Sequence, residues 1–372
     1  MFFSPRWFTG WLTLLMVDSL ATAGADPARQ TREIDRILAG TLSADGPGAA
    51  VLVVHQGKVV HSKGYGLADL DTQAPVTPQT VFDLASASKQ FTAMAIMILV
   101  EQGKLGFDDE VRKHLRDFTL ERRDRPLRVR DLRVRDLLWH LSGLPDYTGD
   151  EWDGTDAEFA TLTPELHLRW LNTRPSRHPP GQKYQYNNSN YALLALVVER
   201  LGGKPFAEFA RDQIFRPCGM DHTFVIDRAG LRVPNRATGY KRADGRPEKS
   251  ASPSIITGDG NVFTTIEDLA AWDAALRESK LVDAKTLAQA WCNGKQDNGR
   301  PVDTGSGCGY GFGWSIQESE HGLCVFHGGG WAGTATYICR YVTAGLTVVV
   351  LSNDEDADVE AVTTAIAELY GL

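Results

Sequence analysis

Val81-Phe-Asp-Leu-Ala-Ser-Ala-Ser-Lys-Gln-Phe-Thr-Ala93 runs from a short apolar segment into a helical pattern, with Ser86 and Lys89 three residues apart. On a helix, a serine and a lysine at that spacing share one face. A serine hydroxyl is a weak nucleophile until a neighbour takes its proton. A lysine can do this where its surroundings keep the amine neutral or well placed. Phe91, Met94, Ala95, Ile98 and Leu99 continue the helix, and Gly103 is placed to stop it. Alone, the four residues carry little: Ser86 can equally be an N-cap and Lys89 a solvated surface lysine. Two later segments give them meaning, Tyr186-Asn187-Asn188 and His327-Gly328-Gly329.

Upstream of the Ser86 segment, Ala28 to Leu38 has helical spacing, while Ala49–Val54 and Lys58–His61 read as strands joined at Gln56-Gly57. From about Lys104 to Ile255 the pattern is helix and loop, with helices at Arg135–His140 and Tyr191–Leu201. Loops rich in Pro and Gly lie near 147–155 and 174–184, and such loops commonly frame binding sites. Thr265-Ile-Glu-Asp268 resembles a capping box ahead of a helix through Leu276. Four strands then follow, Gly311–Gln317, Cys324–His327, Thr334–Tyr341 and Leu346–Ser352, and a closing helix spans Asp356–Leu369. Short connections favour antiparallel pairing. The expected class is therefore α/β (α+β): an antiparallel sheet flanked by N- and C-terminal helices and interrupted by a mostly helical lobe. The Ser86 helix lies where the two lobes meet, so a site is expected between them.

The 372 residues are 42% hydrophobic and 23% charged, ordinary for a globular protein, and the net charge of -8 argues against nucleic-acid binding. Leu127-Arg-Val-Arg-Asp131 repeats at once as Leu132-Arg-Val-Arg-Asp136, with acids interleaved, and reads as a solvated face. Residues 1–25 read as a secretory signal: Arg6, an apolar run Trp7–Val17, then Ala21-Thr-Ala23 or Ala23-Gly-Ala25 as cleavage site. The protein is thus expected to be exported, periplasmic or secreted, with no stable membrane span. Of the five cysteines, Cys218, Cys292, Cys308, Cys324 and Cys339, the pair Cys324 and Cys339 falls on adjacent expected strands. No metal-ligand motif and no cofactor motif is present in the sequence.

Five landmarks in order resemble those of serine β-lactamases and penicillin-binding proteins, in the class C β-lactamase-like branch. They are Phe82–Ala93, Leu137-Leu-Trp-His-Leu-Ser-Gly-Leu-Pro145, Pro180-Gly-Gln-Lys-Tyr-Gln-Tyr-Asn-Asn-Ser-Asn-Tyr191, Gly258–Leu269 and His327-Gly-Gly-Gly-Trp-Ala-Gly333. The resemblance covers about residues 30 to 370. It implies one hydrolase domain over 26–372, with a sheet lobe at about 26–85 and 256–372 and a helical lobe at about 86–255. It further implies that Ser86 attacks a carbonyl carbon and forms an acyl-enzyme. Lys89 would help move the proton. Tyr186 would be a general base, as a phenolate or in concert with Lys89. Asn188 would hold substrate or Lys89. The N–H groups of Ser86 and Gly330 would form the oxyanion hole, and His327 and Gly329 would contact substrate.

The third motif departs from typical β-lactamases, which carry a lysine where His327 stands. Histidine is mostly neutral at pH 7, so a substrate carboxylate loses its fixed counter-charge. Relatives with His-x-Gly include esterases and D-amino-acid peptidases, so the resemblance implies an ester or a D-amino-acid-containing amide or peptide with a scissile carbonyl as substrate. A β-lactamase or D,D-carboxypeptidase is the alternative of the same class, and a catalytically silent scaffold with the same fold is the alternative of another. His140 and Ser142 are expected to hold a turn. His327-Gly328-Gly329-Gly330 also matches a lipase oxyanion loop, but no Gly-x-Ser-x-Gly follows. Asp303-Thr-Gly305 is a solitary half of an aspartic-protease motif.

Overall fold

A computed structural model describes residues 27–119 and 131–372. The signal expected at 1–25 and residues 127–130 of the first repeat copy lie outside the described residues. In the described half, Arg135 pairs with Asp108 at 2.7 Å.

The centre is one seven-stranded antiparallel sheet. Its strands are β1 (Ala49–His55), β2 (Lys58–Tyr65), β3 (Gly309–Tyr310), β4 (Ser315–Ser319), β5 (Gly322–Trp331), β6 (Thr334–Tyr341) and β7 (Leu346–Ser352). Their spatial order is β3-β4-β5-β6-β7-β1-β2. The N-terminal hairpin thus docks on the last strand, with Val51 opposite Val350 and Leu52 opposite Val349. Successive side chains of a strand point to opposite faces. Val51, Val53, Val348 and Val350 accordingly meet Ile34, Leu38 and Ile366 on one face. Leu52, Val349 and Leu351 join the larger core on the other. Both faces are covered, which explains why β1 and β7 read as continuous apolar runs.

The covering helices are α1 (Pro27–Thr41) and α6 (Val359–Glu368) on the first face. Against the other lies α4 (Ile266–Arg277), and the same core takes in α2 (Lys89–Glu101), α3 (Asn188–Gly202) and α5 (Ala284–Ala290), the last two packing on α2. Helices α4 and α6 begin at side-chain caps, Thr265 accepting from the Asp268 N–H and Asp358 from the Ala361 N–H. Of the strand expected at 311–317, only Ser315–Gln317 is strand, in β4. A turn closed by the Gly311 N–H on the Trp314 carbonyl at 2.8 Å separates β3 from β4. Gly313 in this turn has φ +74 and lies so near the Lys89 backbone that a Cβ would come within 2.8 Å of its carbonyl carbon. On β5 and β6, Cys324 faces Tyr341 and Phe326 faces Cys339, so the two cysteines are diagonal neighbours. Both are buried free thiols with sulfurs 3.3 Å apart.

Candidate active site

The Ser86 segment is tied down before its helix begins. Phe82–Asp83 pairs with Val262–Thr264, and the Leu84 N–H bonds the Val262 carbonyl at 2.9 Å. Two threonine hydroxyls of β6 grip the same segment: Thr334 donates to the Asp83 carbonyl at 2.9 Å and Thr336 to the Leu84 carbonyl at 3.0 Å. Ala85 adopts φ +46, a left-handed conformation that a residue with a Cβ rarely takes. Its N–H is held by Asp83 Oδ1 at 2.8 Å. Ser86 therefore sits not on the α-helix itself but on a 3₁₀ turn, Ala85–Ser88, that leads into α2 at Lys89.

Lys89 is fully buried. Its Nζ donates to Ser86 Oγ at 3.0 Å, to Asn188 Oδ1 at 2.8 Å and to the Asp259 carbonyl at 2.8 Å. Burial pulls the amine down to about 8, against the opposing charges of Asp259 and Asp146. Asn188 opens α3. Its Nδ2 donates to Thr148 Oγ1 at 2.7 Å, and its side chain makes no cap. The amide is therefore committed to Lys89 and Thr148.

Tyr186 enters from the loop before α3. The Gln185 N–H on the His140 carbonyl at 2.9 Å and the Asn187 N–H on His140 Nδ1 at 3.1 Å fix that loop. His140 itself holds φ +55, and Ser142 Oγ bonds Asn190 Oδ1 at 2.5 Å, so both hold the turn as expected. The Tyr186 ring lies with its centroid 4.9 Å from Lys89 Nζ. Its hydroxyl is buried with no well-aligned hydrogen bond among the described residues. Burial pushes the phenol well above its ordinary range. The adjacent Ser86 hydroxyl opposes this, and the nearby carboxylates of Asp259 and Asp146 add to it. A phenolate is disfavoured in this environment.

A cleft of about 200 Å³ opens over these groups, and Ser86, Tyr186, Asn188 and Gly330 all line it. So do Tyr147, Thr148 and Asp259, which motif reasoning did not select, and Trp331, 38% exposed. The Tyr147 hydroxyl donates to Asp259 Oδ2 at 2.7 Å, while Asp259 Oδ1 is buried and unpartnered among the described residues. Burial raises the Asp259 carboxyl, and the Lys89 charge opposes the shift. The available signals were the irregular 147–155 loop and the Gly258–Leu269 landmark.

His327 and Gly329 take other places. His327 is 5% exposed and is not among the residues lining the cleft. Its Nε2 meets the Tyr310 hydroxyl at 3.0 Å and its Nδ1 the Gly328 carbonyl at 2.6 Å. A carbonyl only accepts, which assigns the proton to Nδ1 and makes Nε2 the acceptor from Tyr310. Burial, reinforced by the Lys89 charge, pushes the imidazole down to about 3, so it is neutral at physiological pH. Gly329 is a close-approach position: a Cβ there would stand 2.1 Å from the Leu84 carbonyl oxygen and 2.4 Å from Thr336 Oγ1. Gly330 next to it has open space where a Cβ would go.

A family model described as Beta-lactamase matches residues 31–371. The chain is 32% identical over 340 residues to "Penicillin-binding protein 4*" of Bacillus subtilis (strain 168), covering 86% of this chain and 72% of that one. It is 28% identical to "Protein flp" of Staphylococcus aureus (strain MW2), covering 82% of this chain and 59% of that one. Against the structure of the octameric penicillin-binding protein homologue from Pyrococcus abyssi the TM-score is 0.77 at 27% identity, covering 93% of this chain and 78% of that one.

Proposed function

This chain belongs to the beta-lactamase family, and from that premise we propose that it is a serine hydrolase working through an acyl-enzyme on Ser86. The observation that carries the proposal is the buried Lys89 amine, bonded at once to Ser86 Oγ, Asn188 Oδ1 and the Asp259 carbonyl. Ser86 Oγ attacks the substrate carbonyl carbon. Its proton passes to a neutral Lys89, with the Tyr186 hydroxyl relaying a proton to the leaving alcohol or amine. The N–H groups of Ser86 and Gly330, both at the cleft, stabilise the oxyanion. Water then attacks the acyl carbon and releases Ser86. Asn188 holds Lys89 in place. His327 supports the Tyr310 and Tyr186 rings, and Gly329 keeps β5 close to the nucleophile turn.

The substrate we propose is an ester or a D-amino-acid-containing amide. The neutral, buried His327 supplies no cation for a substrate carboxylate, and this disfavours efficient β-lactam turnover. Residues 1–25 are proposed as an export signal and 26–372 as the hydrolase domain. Among the described residues no helix is long and apolar enough to cross a membrane. A fluorophosphonate probe followed by mass spectrometry tests the nucleophile. The expected outcome is one adduct on Ser86, and p-nitrophenyl butyrate hydrolysis that disappears in Ser86→Ala. Equal labelling or equal hydrolysis in that variant would sink the proposal. Rapid nitrocefin turnover would overturn the substrate assignment alone.

A further inference from the structure

We propose that a second cavity, enclosed by α4, α5 and the β6–β7 hairpin, binds a small apolar carboxylate through Arg340 and Trp291. The cavity measures about 300 Å³, larger than the catalytic cleft, and shares no lining residue with it. Its walls include the apolar side chains of Leu276, Leu287, Val342 and Leu346.

Two cations share one carboxylate at this cavity, the buried Arg340 and the exposed Arg277. Arg340 is 5% exposed, and its Nε donates to Asp273 Oδ1 at 3.0 Å. Asp273 also accepts from Arg277 Nε at 3.2 Å and Thr347 Oγ1 at 2.6 Å. One buried carboxylate thus serves two guanidinium groups, and Arg340 and Arg277 both line the cavity. A buried charge is stable only when paired and fully hydrogen-bonded. Burial pulls the Arg340 guanidinium down from its ordinary range, and Arg277 adds to that fall while Asp273 opposes it.

The hydrogen-bond inventory is short on the same side. Arg340 Nη1 and Trp291 Nε1 are both buried and have no acceptor among the described residues. The guanidinium carbon lies 5.3 Å from the Trp291 ring centroid, so the two side chains are neighbours in the cavity wall. Both groups can only donate. The missing partner is therefore a hydrogen-bond acceptor. A carboxylate offers two oxygens and one charge, and Arg prefers that planar geometry. Water can satisfy the donors, whereas a carboxylate also meets the second cation that Asp273 shares, Arg277. The apolar walls call for a hydrocarbon body behind the carboxylate.

Titration calorimetry with sodium octanoate, 1-octanol and sodium acetate tests the assignment. One octanoate is expected per chain, bound at least about tenfold tighter than octanol or acetate, because either control lacks half of the recognition. Ala284 lies exposed at the start of α5 and lines the cavity. Ala284→Trp should obstruct the cavity without touching the buried charges and weaken octanoate at least about tenfold. Arg340→Gln should bring octanoate down to the affinity of octanol. If Arg340→Gln does not fold, Ala284→Trp and the octanol control still decide. Absence of octanoate binding at millimolar concentration, octanol binding as tight as octanoate, or unchanged binding in Ala284→Trp overturns the proposal. None of these results bears on Ser86 labelling, and failure of that labelling leaves this cavity untouched.

Discussion

In the proposed mechanism Lys89 concentrates the chemistry of the site in one amine, and its protonation would decide whether Ser86 can be activated. Burial lowers it to about 8, so a rising share is neutral as pH climbs toward that value. The kcat/KM for p-nitrophenyl butyrate is expected to rise with pH and level off above about 8, and a flat profile from pH 6 to 9 would reject Lys89 as the proton acceptor. The stability effect has a fixed sign too. Between about 8 and the ordinary lysine value of 10.5, the unfolded chain binds the proton that the folded Lys89 has released, so the cost of burying Lys89 falls and stability rises with pH there. Tyr186 invites a second comparison. Its buried hydroxyl has no well-aligned partner to lose, so Tyr186→Phe should leave the melting temperature unchanged or slightly raised while kcat falls on the order of 10²-fold or more. A melting-temperature drop with activity kept would make it a packing residue. That Ser86, Lys89, Tyr186 and Asn188 come together was legible because each sits in a motif with its own chemical logic. The Tyr147–Asp259 pair was not, since it joins residues 112 apart whose meaning exists only in their contact. The place of His327 behind the cleft was equally hidden, because a strand residue's face depends on register with its neighbours.

At the scale of elements, the reactive turn depends on how closely β5 passes the segment before Ser86. Gly329 and Gly330 look alike in sequence but differ in space. Gly329→Ala drives a Cβ into the Leu84 carbonyl and Thr336, and the backbone must shift. This is expected to destabilise the fold by about 1–3 kcal/mol and to lower kcat sharply by moving Ser86. Gly330→Ala meets open space and keeps its N–H, so stability should change little and activity should persist. Thermal melts with p-nitrophenyl butyrate kinetics on both variants check this, and equal behaviour of the two would refute the close-approach account. Most elements were readable from periodicity: the helix expected at Ala28–Leu38 spans Pro27–Thr41, and that at Tyr191–Leu201 spans Asn188–Gly202. The misread strand at 311–317 shows where local pattern fails. Its apolar and aromatic residues satisfy a strand pattern, but Gly313 must turn there to clear the Lys89 backbone.

Across the whole molecule, the sheet takes strands from both ends of the chain, 49–65 and 309–352, with the helical segments between them. That division was legible because the pattern changes from strand to helix and back. The pairing of β1 with β7 was not, since several apolar strands could pair equally well by composition. The architecture places two apolar layers on opposite faces of the same strands. The cleft opens on the side of α2 and α3, while Ile34, Leu38, Val51, Val350 and Ile366 pack on the other. Ile366 is fully buried in that outer layer. Truncating it removes packing from α6 without touching any residue that lines the cleft. Ile366→Ala should therefore lower stability by about 2–5 kcal/mol, the range for large-to-small changes in a packed core. The rate per active site, counted by fluorophosphonate titration, should stay within about twofold of the native protein, because distant sites without shared partners act independently. Chemical denaturation combined with active-site titration separates the two quantities. A fall in rate per titrated Ser86 comparable to the fall in stability would mean that the outer layer sets the geometry of the reactive turn through β6, against the two-layer account.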